Sequence, residues 1–362
     1  MVAIDLGAAA WELCSEFNRT RPGNTAKRPD LRIETGGIAL AMKETNGNGG
    51  GGKADAGEAE LSLAEQEDRL IWIFGSSRSG STWLLRMLSE LDCVVPVDDP
   101  HLGHHLGVWR PIPLAWAACE DPPDLTTLLE LKADEPGYFF ADRFRDSWWE
   151  PLRTLIRARF EAQAADVDVG TEAPVVVIKE PGSHAAPFLT ELFPQSKLIW
   201  LLRDGRDVVD SWLAAYQEGS WAISGGAFPA TTEGRIPLIR WLSAVWVYRS
   251  RAVKRAFESR DPSQRVLIRY ETLRGQTAQA LAEIARTFGL DRDSLASIAA
   301  RHHFEQLPRA ERGERREKRI ATPGAWRDNL SASEQLAMHE ALGDALEEFG
   351  YESTPRPMAA AS

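Results

Sequence analysis

Cysteine is scarce in this 362-residue chain, which has three, at widely spaced positions: Cys14, Cys93 and Cys119. An odd and scattered set offers neither the paired half-cystines of a disulfide framework nor the close spacing of a zinc site. We therefore expect reduced thiols, as in a cytoplasmic protein.

The sequence also lacks long apolar runs and an excess of positive charge. No run approaches the ~20 residues of a membrane-spanning helix, and the N-terminal residues lack the basic and apolar regions of a secretory signal. The 42 Lys and Arg residues face 53 Asp and Glu residues, a net charge of −11, which argues against broad binding to nucleic acid or anionic membranes. We expect a soluble cytoplasmic protein without stable membrane insertion. Its oligomeric state stays open.

The composition predicts one folded domain. Hydrophobic residues make up 43% of the chain, enough for a full core. Residues 1–66, with a Gly-rich run at 46–53, have the composition of a disordered extension and linker, and 353–362 that of a tail. The domain is therefore expected over 67–352.

Strand and helix patterns alternate along this domain. Short apolar segments predict strands at 70–74, 175–179, 197–202 and 265–269. Helices are predicted at 81–91, 124–132, 146–165, 184–193, 206–217, 236–258, 276–288 and 332–348, the last with a capping box formed by Ser331 and Glu334. The alternation indicates one α/β domain with a central parallel sheet of four to five strands flanked by helices. The P-loop spacing of Gly75 and Gly80 makes this domain P-loop-like.

The turn Gly75–Gly80 is the most informative segment. It follows an apolar strand and precedes apolar residues at helical spacing. Backbone N–H groups at such a turn, with a helix N-terminus behind them, can bind a phosphate or sulfate. The two glycines have P-loop spacing, but Ser81 stands where the P-loop Lys belongs. Arg78 is the one cation within the turn.

A second charged segment follows the predicted strand 197–202. Arg203 lies where this strand ends, and Ser211 would lie two turns into the next helix. Ligands of parallel sheets bind at the carboxyl ends of strands. Arg203 and Ser211 could therefore face one anion.

Together these segments resemble a known family. Gly75–Trp83 resembles the 5′-phosphosulfate loop of sulfotransferases that use 3′-phosphoadenylyl sulfate (PAPS), and Arg203–Ser211 resembles their 3′-phosphate motif. Residues 268–273 are similar to the family's "RYEDL" segment, and Arg319 with 324–329 is similar to its C-terminal "RKG…GDWKN" element. The resemblance covers roughly residues 68–351. It implies sulfuryl transfer from PAPS to a hydroxyl or amine of a small-molecule, lipid or carbohydrate acceptor, with PAP as product.

The resemblance also implies residue roles. Arg78, at the position of the family's loop Lys, would contact the leaving phosphate, and Trp83 would stack on adenine. Arg203, Ser211 and Arg319 would hold the 3′-phosphate, although Ile320 and Ala321 replace the Lys-Gly pair that follows this Arg in the family. The residues expected to bind PAPS are Gly75, Ser77, Arg78, Ser79, Gly80, Ser81, Thr82, Trp83, Arg203, Ser211, Tyr270 and Arg319.

The general base departs from the family pattern. Lys179 matches the Lys of the family's Lys-x-His, but Pro181 stands where the His belongs. Glu180 and His184 are the alternatives, since either could reach an acceptor proton from the end of a strand. The fixed position of Glu180 before a proline favours it. The expected catalytic residues are Arg78, Lys179, Glu180 and His184.

The His residues at 101, 104 and 105 have a spacing that can bind metal on a helix. Gly103 and Gly107 interrupt the helical pattern, and no acidic or Cys ligand completes the set. We expect no metal site and no metal requirement.

Two other functions are compatible with the same motifs. A P-loop kinase or NTPase would use Asp204 as its strand-end acid, but it would lack the Lys that carries phosphate charge. A catalytically inactive PAP(S)-binding module would keep the phosphate loops without a base.

Overall fold

The computed structural model describes residues 67–106, 139–167, 174–220, 234–303 and 322–353. All of them belong to one unit of the chain, Leu61–Ser362. The predicted helix 124–132 lies outside the described residues, as does the predicted extension 1–66.

A five-stranded parallel sheet forms the centre. Its spatial order is β2-β3-β1-β4-β5, with β1 paired to β3 and to β4. The strands are β1 (Leu70–Phe74), β2 (Val94–Asp98), β3 (Val175–Lys179), β4 (Lys197–Leu202) and β5 (Arg265–Arg269). After β1 the chain crosses to β2 at one edge of the sheet, and after β4 it continues to β5 at the other edge. Ligands of such sheets bind in the crevice where the direction changes, which here lies between β1 and β4.

Eleven helices accompany the sheet in the described part of the chain. They are α1 (Ser81–Leu88), α2 (Leu102–His105), α3 (Arg145–Ala165), α4 (Ala186–Leu192), α5 (Gly205–Ala215), α6 (Arg235–Glu258), α7 (Tyr270–Gly275), α8 (Thr277–Phe288), α9 (Leu295–Arg301), α10 (Trp326–Asn329) and α11 (Ala332–Glu348). Short 3-10 turns lie at Glu67–Arg69, Asp142–Phe144, Ser183–Ala185 and Pro262–Gln264. None of these helices has an apolar stretch suited to crossing a bilayer.

Two hydrophobic cores cover the two faces of the sheet. Because side chains alternate along a strand, Trp72 and Phe74 of β1 pack with α3, α4, α5, α6 and α11 on one face. Ile71 and Ile73 pack with α1, α8 and α9 on the other. Every residue of β1 is buried, as expected for the central strand of a parallel sheet.

The sequence predicted this architecture well. The four predicted strands have the bounds found in the structure, and α11 spans 332–348 with the predicted capping box. Strand β2 was missed because Pro96 interrupts its run of Val residues. Proline is tolerated there because β2 lies at the edge of the sheet and pairs only with β3.

Helix ends and short helices were less well predicted. Helix α1 ends at Leu88, before the predicted end at 91, and the region predicted as 184–193 begins with a 3-10 turn before α4. Helices α2, α7, α9 and α10 were not predicted. They have four to seven residues each, too short to produce a clear amphipathic period.

Candidate functional site

The turn between β1 and α1 has the geometry of an anion-binding loop. The Ser79 N–H donates to the Ser76 carbonyl at 3.1 Å, and Gly80, with φ 93°, is the N-cap residue that precedes α1. Arg78 has φ 74°, a left-handed conformation that is uncommon for a residue with a side chain. Since the first N–H groups of a helix have no partner within it, the start of α1 presents donors at this turn.

Both glycines of the turn are sterically required. A Cβ on Gly75 would lie 2.4 Å from the Leu201 carbonyl oxygen of β4. A Cβ on Gly80 would lie 2.8 Å from the Tyr270 ring, and its left-handed φ is itself unfavourable for other residues. The loop therefore packs directly against β4 and α7.

The two predicted phosphate motifs meet at Arg78. Its Nε donates to the Ser211 hydroxyl of α5 at 3.2 Å, and Arg203 donates from Nη1 to the Arg78 carbonyl at 2.8 Å. Because β1 and β4 are neighbours, their carboxyl ends bring these three residues together. Arg78, Arg203 and Ser211 form what we call the arginine junction.

Tyr270 and Trp83 lie beside this junction. The Arg203 guanidinium lies over the Tyr270 ring, 4.3 Å from its centroid, a cation–π contact. Burial raises the pKa of the Tyr270 hydroxyl. The Trp83 ring meets Tyr270 edge to face at 6.4 Å, and its Nε1 donates to the His302 carbonyl at 3.1 Å. The predicted adenine-stacking residue is thus held at one edge by α9.

Arg249 is a member of the site that the sequence did not indicate. It lies on α6, is 7% exposed, and donates from Nη1 to the Ser77 hydroxyl of the loop at 2.9 Å. Burial lowers its pKa to about 10, so the side chain stays charged at neutral pH. From the sequence, Arg249 cannot be distinguished from an ordinary solvent-exposed Arg on a long helix, and it belongs to no recognised motif.

Lys179 joins the loop to the end of β2. Its Nζ donates to Thr82 Oγ1 at 2.7 Å and contacts Asp98 Oδ1 at 2.7 Å and Asp99 Oδ2 at 2.8 Å. The Lys179 side chain is buried, whereas both aspartates are partly exposed. Neither Asp98 nor Asp99 was expected from the sequence, because the strand that ends in them was not predicted.

Glu180 has the contacts of a structural residue. It is 1% exposed, and its carboxylate accepts backbone N–H groups from Leu102 at 2.8 Å, Gly103 at 3.4 Å and Gly182 at 2.7 Å. Burial raises the pKa of this carboxyl. These three donors occupy both carboxylate oxygens, so the contacts give no support to Glu180 as the base.

His184, the alternative base, is buried within the domain. It lies in the 3-10 turn that precedes α4, and its ring stacks on Tyr248 of α6 with centroids 6.3 Å apart. Both predicted bases therefore lie inside the fold, on the α6 side of the sheet, and their catalytic role stays a prediction.

Helix α5 also holds the C-terminal segment next to the junction. The buried Asp207 carboxylate accepts the Gly324 N–H at 2.9 and 3.1 Å, and Asp210 accepts from Asn329 at 3.0 Å. Burial raises the pKa of Asp207 to about 6, even though Arg203 opposes the shift. The segment 324–329 that resembles the family's last element thus packs near Arg203. Arg319 lies outside the described residues.

Metal ligation was not expected from the sequence. Among the side chains that the structure describes, no three His, Cys, Asp or Glu residues are grouped as metal ligands. The side chains of His104 and His105 are not among them.

The model of the Sulfotransferase family matches residues 71–294, more than half of the chain. The matched span contains the loop, the arginine junction, Lys179 and Tyr270. No curated protein matches the chain.

Several solved structures are similar at low sequence identity. A sulfotransferase domain from the curacin biosynthetic pathway has 15% identity and a TM-score of 0.42, with 78% of this chain and 97% of that one covered. A Mycobacterium avium sulfotransferase has 16% identity and a TM-score of 0.44, covering 80% and 78%. A mouse sulfotransferase in complex with PAP has 12% identity and a TM-score of 0.43, covering 79% and 89%.

Proposed function

Because this chain belongs to the sulfotransferase family, we propose that it transfers a sulfuryl group from PAPS to a hydroxyl or amine of a small-molecule, lipid or carbohydrate acceptor. The observation that carries the donor assignment is the arginine junction. Two guanidinium groups and a hydroxyl from separate motifs converge beside the start of α1. A donor with phosphates at both its 5′ and 3′ positions needs such a pair of neighbouring anion sites.

The proposed donor site divides into two parts. The loop N–H groups and the hydroxyls of Ser81 and Thr82 receive the 5′-phosphosulfate, since the start of a helix favours an anion. Arg203 and Ser211 receive the 3′-phosphate. Arg78 lies between these two parts and contacts Ser211 directly. A guanidinium suits this position because it keeps its charge and binds phosphate oxygens in pairs.

The adenine is assigned to the aromatic side of the junction. Trp83 is partly exposed and provides a ring surface there, oriented by its hydrogen bond to the His302 carbonyl. The buried Tyr270 ring supports Trp83 edge to face. Gly75, Ser77, Ser79 and Gly80 shape the loop, while Arg319 is retained as a proposed 3′-phosphate ligand from the resemblance alone.

The proposed reaction is an in-line displacement at sulfur. The acceptor oxygen or nitrogen forms a bond to sulfur as the bond from sulfur to the phosphate oxygen breaks. PAP leaves with the electron pair, and the acceptor's proton passes to a base. Arg78 and Lys179 are proposed, from the resemblance, to stabilise charge on the leaving phosphate, which is the main contribution that an enzyme makes to such a transfer.

Ligand-dependent melting provides the first test. A ligand that binds only the folded state raises the melting temperature according to its concentration and affinity. We expect PAP to stabilise the protein and Mg-ATP to have little effect. Stabilisation by Mg-ATP alone would support a P-loop kinase or NTPase instead.

Transfer of radiolabelled sulfate from PAPS to a pool of phenols, alcohols, amines, sugars and hydroxylated lipids provides the second test. We expect labelled product from the wild-type protein. PAP binding without any transfer would support a catalytically inactive PAP(S)-binding module.

A further inference from the structure

A carboxylate that the sequence motifs do not include lies beside the proposed donor site. Asp99 follows β2 directly, and its Oδ2 lies 2.8 Å from Lys179 Nζ. The same Lys179 nitrogen donates to Thr82 Oγ1 at 2.7 Å. Lys179 thus connects the donor loop and Asp99 through a single atom.

The second oxygen of this carboxylate has an unusual environment. Asp99 Oδ1 is buried and accepts no hydrogen bond from the residues that the structure describes, although the side chain as a whole is 40% exposed. Buried carboxylate oxygens are nearly always hydrogen-bonded. The exposed part of the side chain therefore lies elsewhere on the carboxylate group and is accessible to a molecule outside the protein.

The backbone conformation at Asp99 also supports a functional role for this residue. Among the described residues, three that are not glycine have positive φ angles: Arg78 at 74°, Asp99 at 51° and His101 at 55°. Arg78 belongs to the arginine junction, and the other two lie on the segment that leaves β2. Asp and His adopt this conformation more readily than most residues, and non-glycine residues in it recur at functional sites. The Asp99 N–H also donates to the Lys179 carbonyl at 3.1 Å, which fixes the segment against the end of β3.

From these observations we propose that Asp99 is the general base of the sulfuryl transfer, an inference that rests on the proposed function. Asp99 takes the proton of the acceptor O–H or N–H as the acceptor atom bonds to sulfur and the sulfur–oxygen bond to PAP breaks. Lys179 holds the carboxylate through Oδ2, and the side chain, which is 40% exposed, is open to an acceptor from outside. Glu180 does not compete for this role, since backbone N–H groups occupy its oxygens.

Asp98 provides a matched control. It precedes Asp99, contacts the same Lys179 nitrogen at 2.7 Å, and is more exposed, at 54%. Asp98→Asn and Asp99→Asn each remove one negative charge next to Lys179, and they differ in which carboxylate is lost. Asn tolerates the left-handed backbone at position 99 as Asp does, so Asp99→Asn should fold.

The experiment measures transfer of radiolabelled sulfate from PAPS to the acceptor pool, with PAP affinity determined by calorimetry. We expect Asp99→Asn to lower kcat by about 10²–10⁴-fold, the usual contribution of a general base, with PAP affinity unchanged. Asp98→Asn should change kcat by about fivefold or less, as for an exposed ion pair. Asp99→Gly, which also suits a left-handed backbone, should regain activity when formate is added.

Three results would overturn the assignment. They are near-normal turnover of Asp99→Asn, an equal loss in Asp98→Asn, and a loss of PAP affinity in Asp99→Asn that accounts for its loss of turnover. Failure of the proposed function has a different signature, in which the wild-type protein itself transfers no label to any acceptor.

Discussion

Arg78 donates from its Nε to the Ser211 hydroxyl at 3.2 Å, although 133 positions separate the two residues. Each belongs to a different motif, and each motif follows a different strand. The contact exists because β1 and β4 are adjacent and parallel. It joins the two halves of the proposed donor site by a direct hydrogen bond.

Removal of the Arg78 side chain should abolish most of the turnover while the fold persists. Preorganised donors at the developing charge are worth roughly 2.7–4 kcal/mol, or about 10²–10³ in kcat. Because Arg78 has φ 74°, Arg78→Gly is the better variant, and it should be more stable than Arg78→Ala by about 1 kcal/mol. Both should lose turnover equally in the labelled-sulfate assay. Near-normal turnover in Arg78→Gly would mean that this loop is not the donor site.

Loss of Arg203 or Ser211 should weaken binding of PAP more than binding of adenosine 5′-phosphosulfate, which lacks the 3′-phosphate. A hydrogen bond to a charged group contributes about 1.5–3 kcal/mol, so the PAP dissociation constant should rise by one to two orders of magnitude in Arg203→Met. Calorimetry with the two ligands is the measurement. Equal losses for both ligands would indicate that Arg203, which also donates to the Arg78 carbonyl, acts through the shape of the loop.

Arg249 should contribute to donor binding through Ser77. Arg249→Met keeps much of the buried volume but removes the donor to the Ser77 hydroxyl. PAP affinity should fall by about tenfold or more, as for a charged hydrogen bond. Ser77→Ala tests whether Arg249 acts through Ser77, because substitutions of residues that act as one unit have non-additive effects on affinity. The double variant should bind PAP no worse than Arg249→Met alone, and additive losses would contradict this link.

Asp207 should make stability depend on pH. Its pKa is raised from 3.8 to about 6 by burial, so the folded protein binds a proton that the unfolded chain releases at lower pH. Its contribution is therefore complete below pH 3.8 and is lost as the pH rises through about 6. The ionised carboxylate then costs about 3 kcal/mol at neutral pH, from the size of the shift.

Asp207→Asn keeps an oxygen for the Gly324 N–H and has no charge to lose. Its advantage over the wild-type protein in the free energy of unfolding should be small near pH 4 and should grow to about 3 kcal/mol near pH 7. Urea denaturation of both proteins across this range gives the difference directly, and shared contributions of other groups cancel. A constant difference at every pH would show that Asp207 does not titrate with the raised pKa.

Local sequence was sufficient for the family and for most of the architecture. Strands β1, β3 and β4 are nearly continuous apolar runs, and burial on both faces makes that pattern easy to recognise. The edge strand β5 has three apolar residues between two arginines, a shorter form of the same pattern. The loop at Gly75–Gly80 was recognisable because its glycines are required by the close approach of Leu201 and Tyr270. The predicted family and α/β fold are confirmed, whereas the roles of individual site residues remain predictions.

Tertiary structure alone decided which side chains meet. Arg249 reaches Ser77 across 172 positions and Lys179 reaches Thr82 across 97, and such pairs depend on strand order, which no local pattern encodes. The burial of Glu180 against three backbone N–H groups likewise follows from the packing of α2 on the end of β3. Asp99 could be recognised as a candidate only from the structure, in which β2 lies beside β3 at the edge of the sheet. Pro96 interrupts the apolar pattern of β2 in the sequence. Spacing along the chain identified the candidate anion-binding loop, and the order of the strands determined which charges surround it.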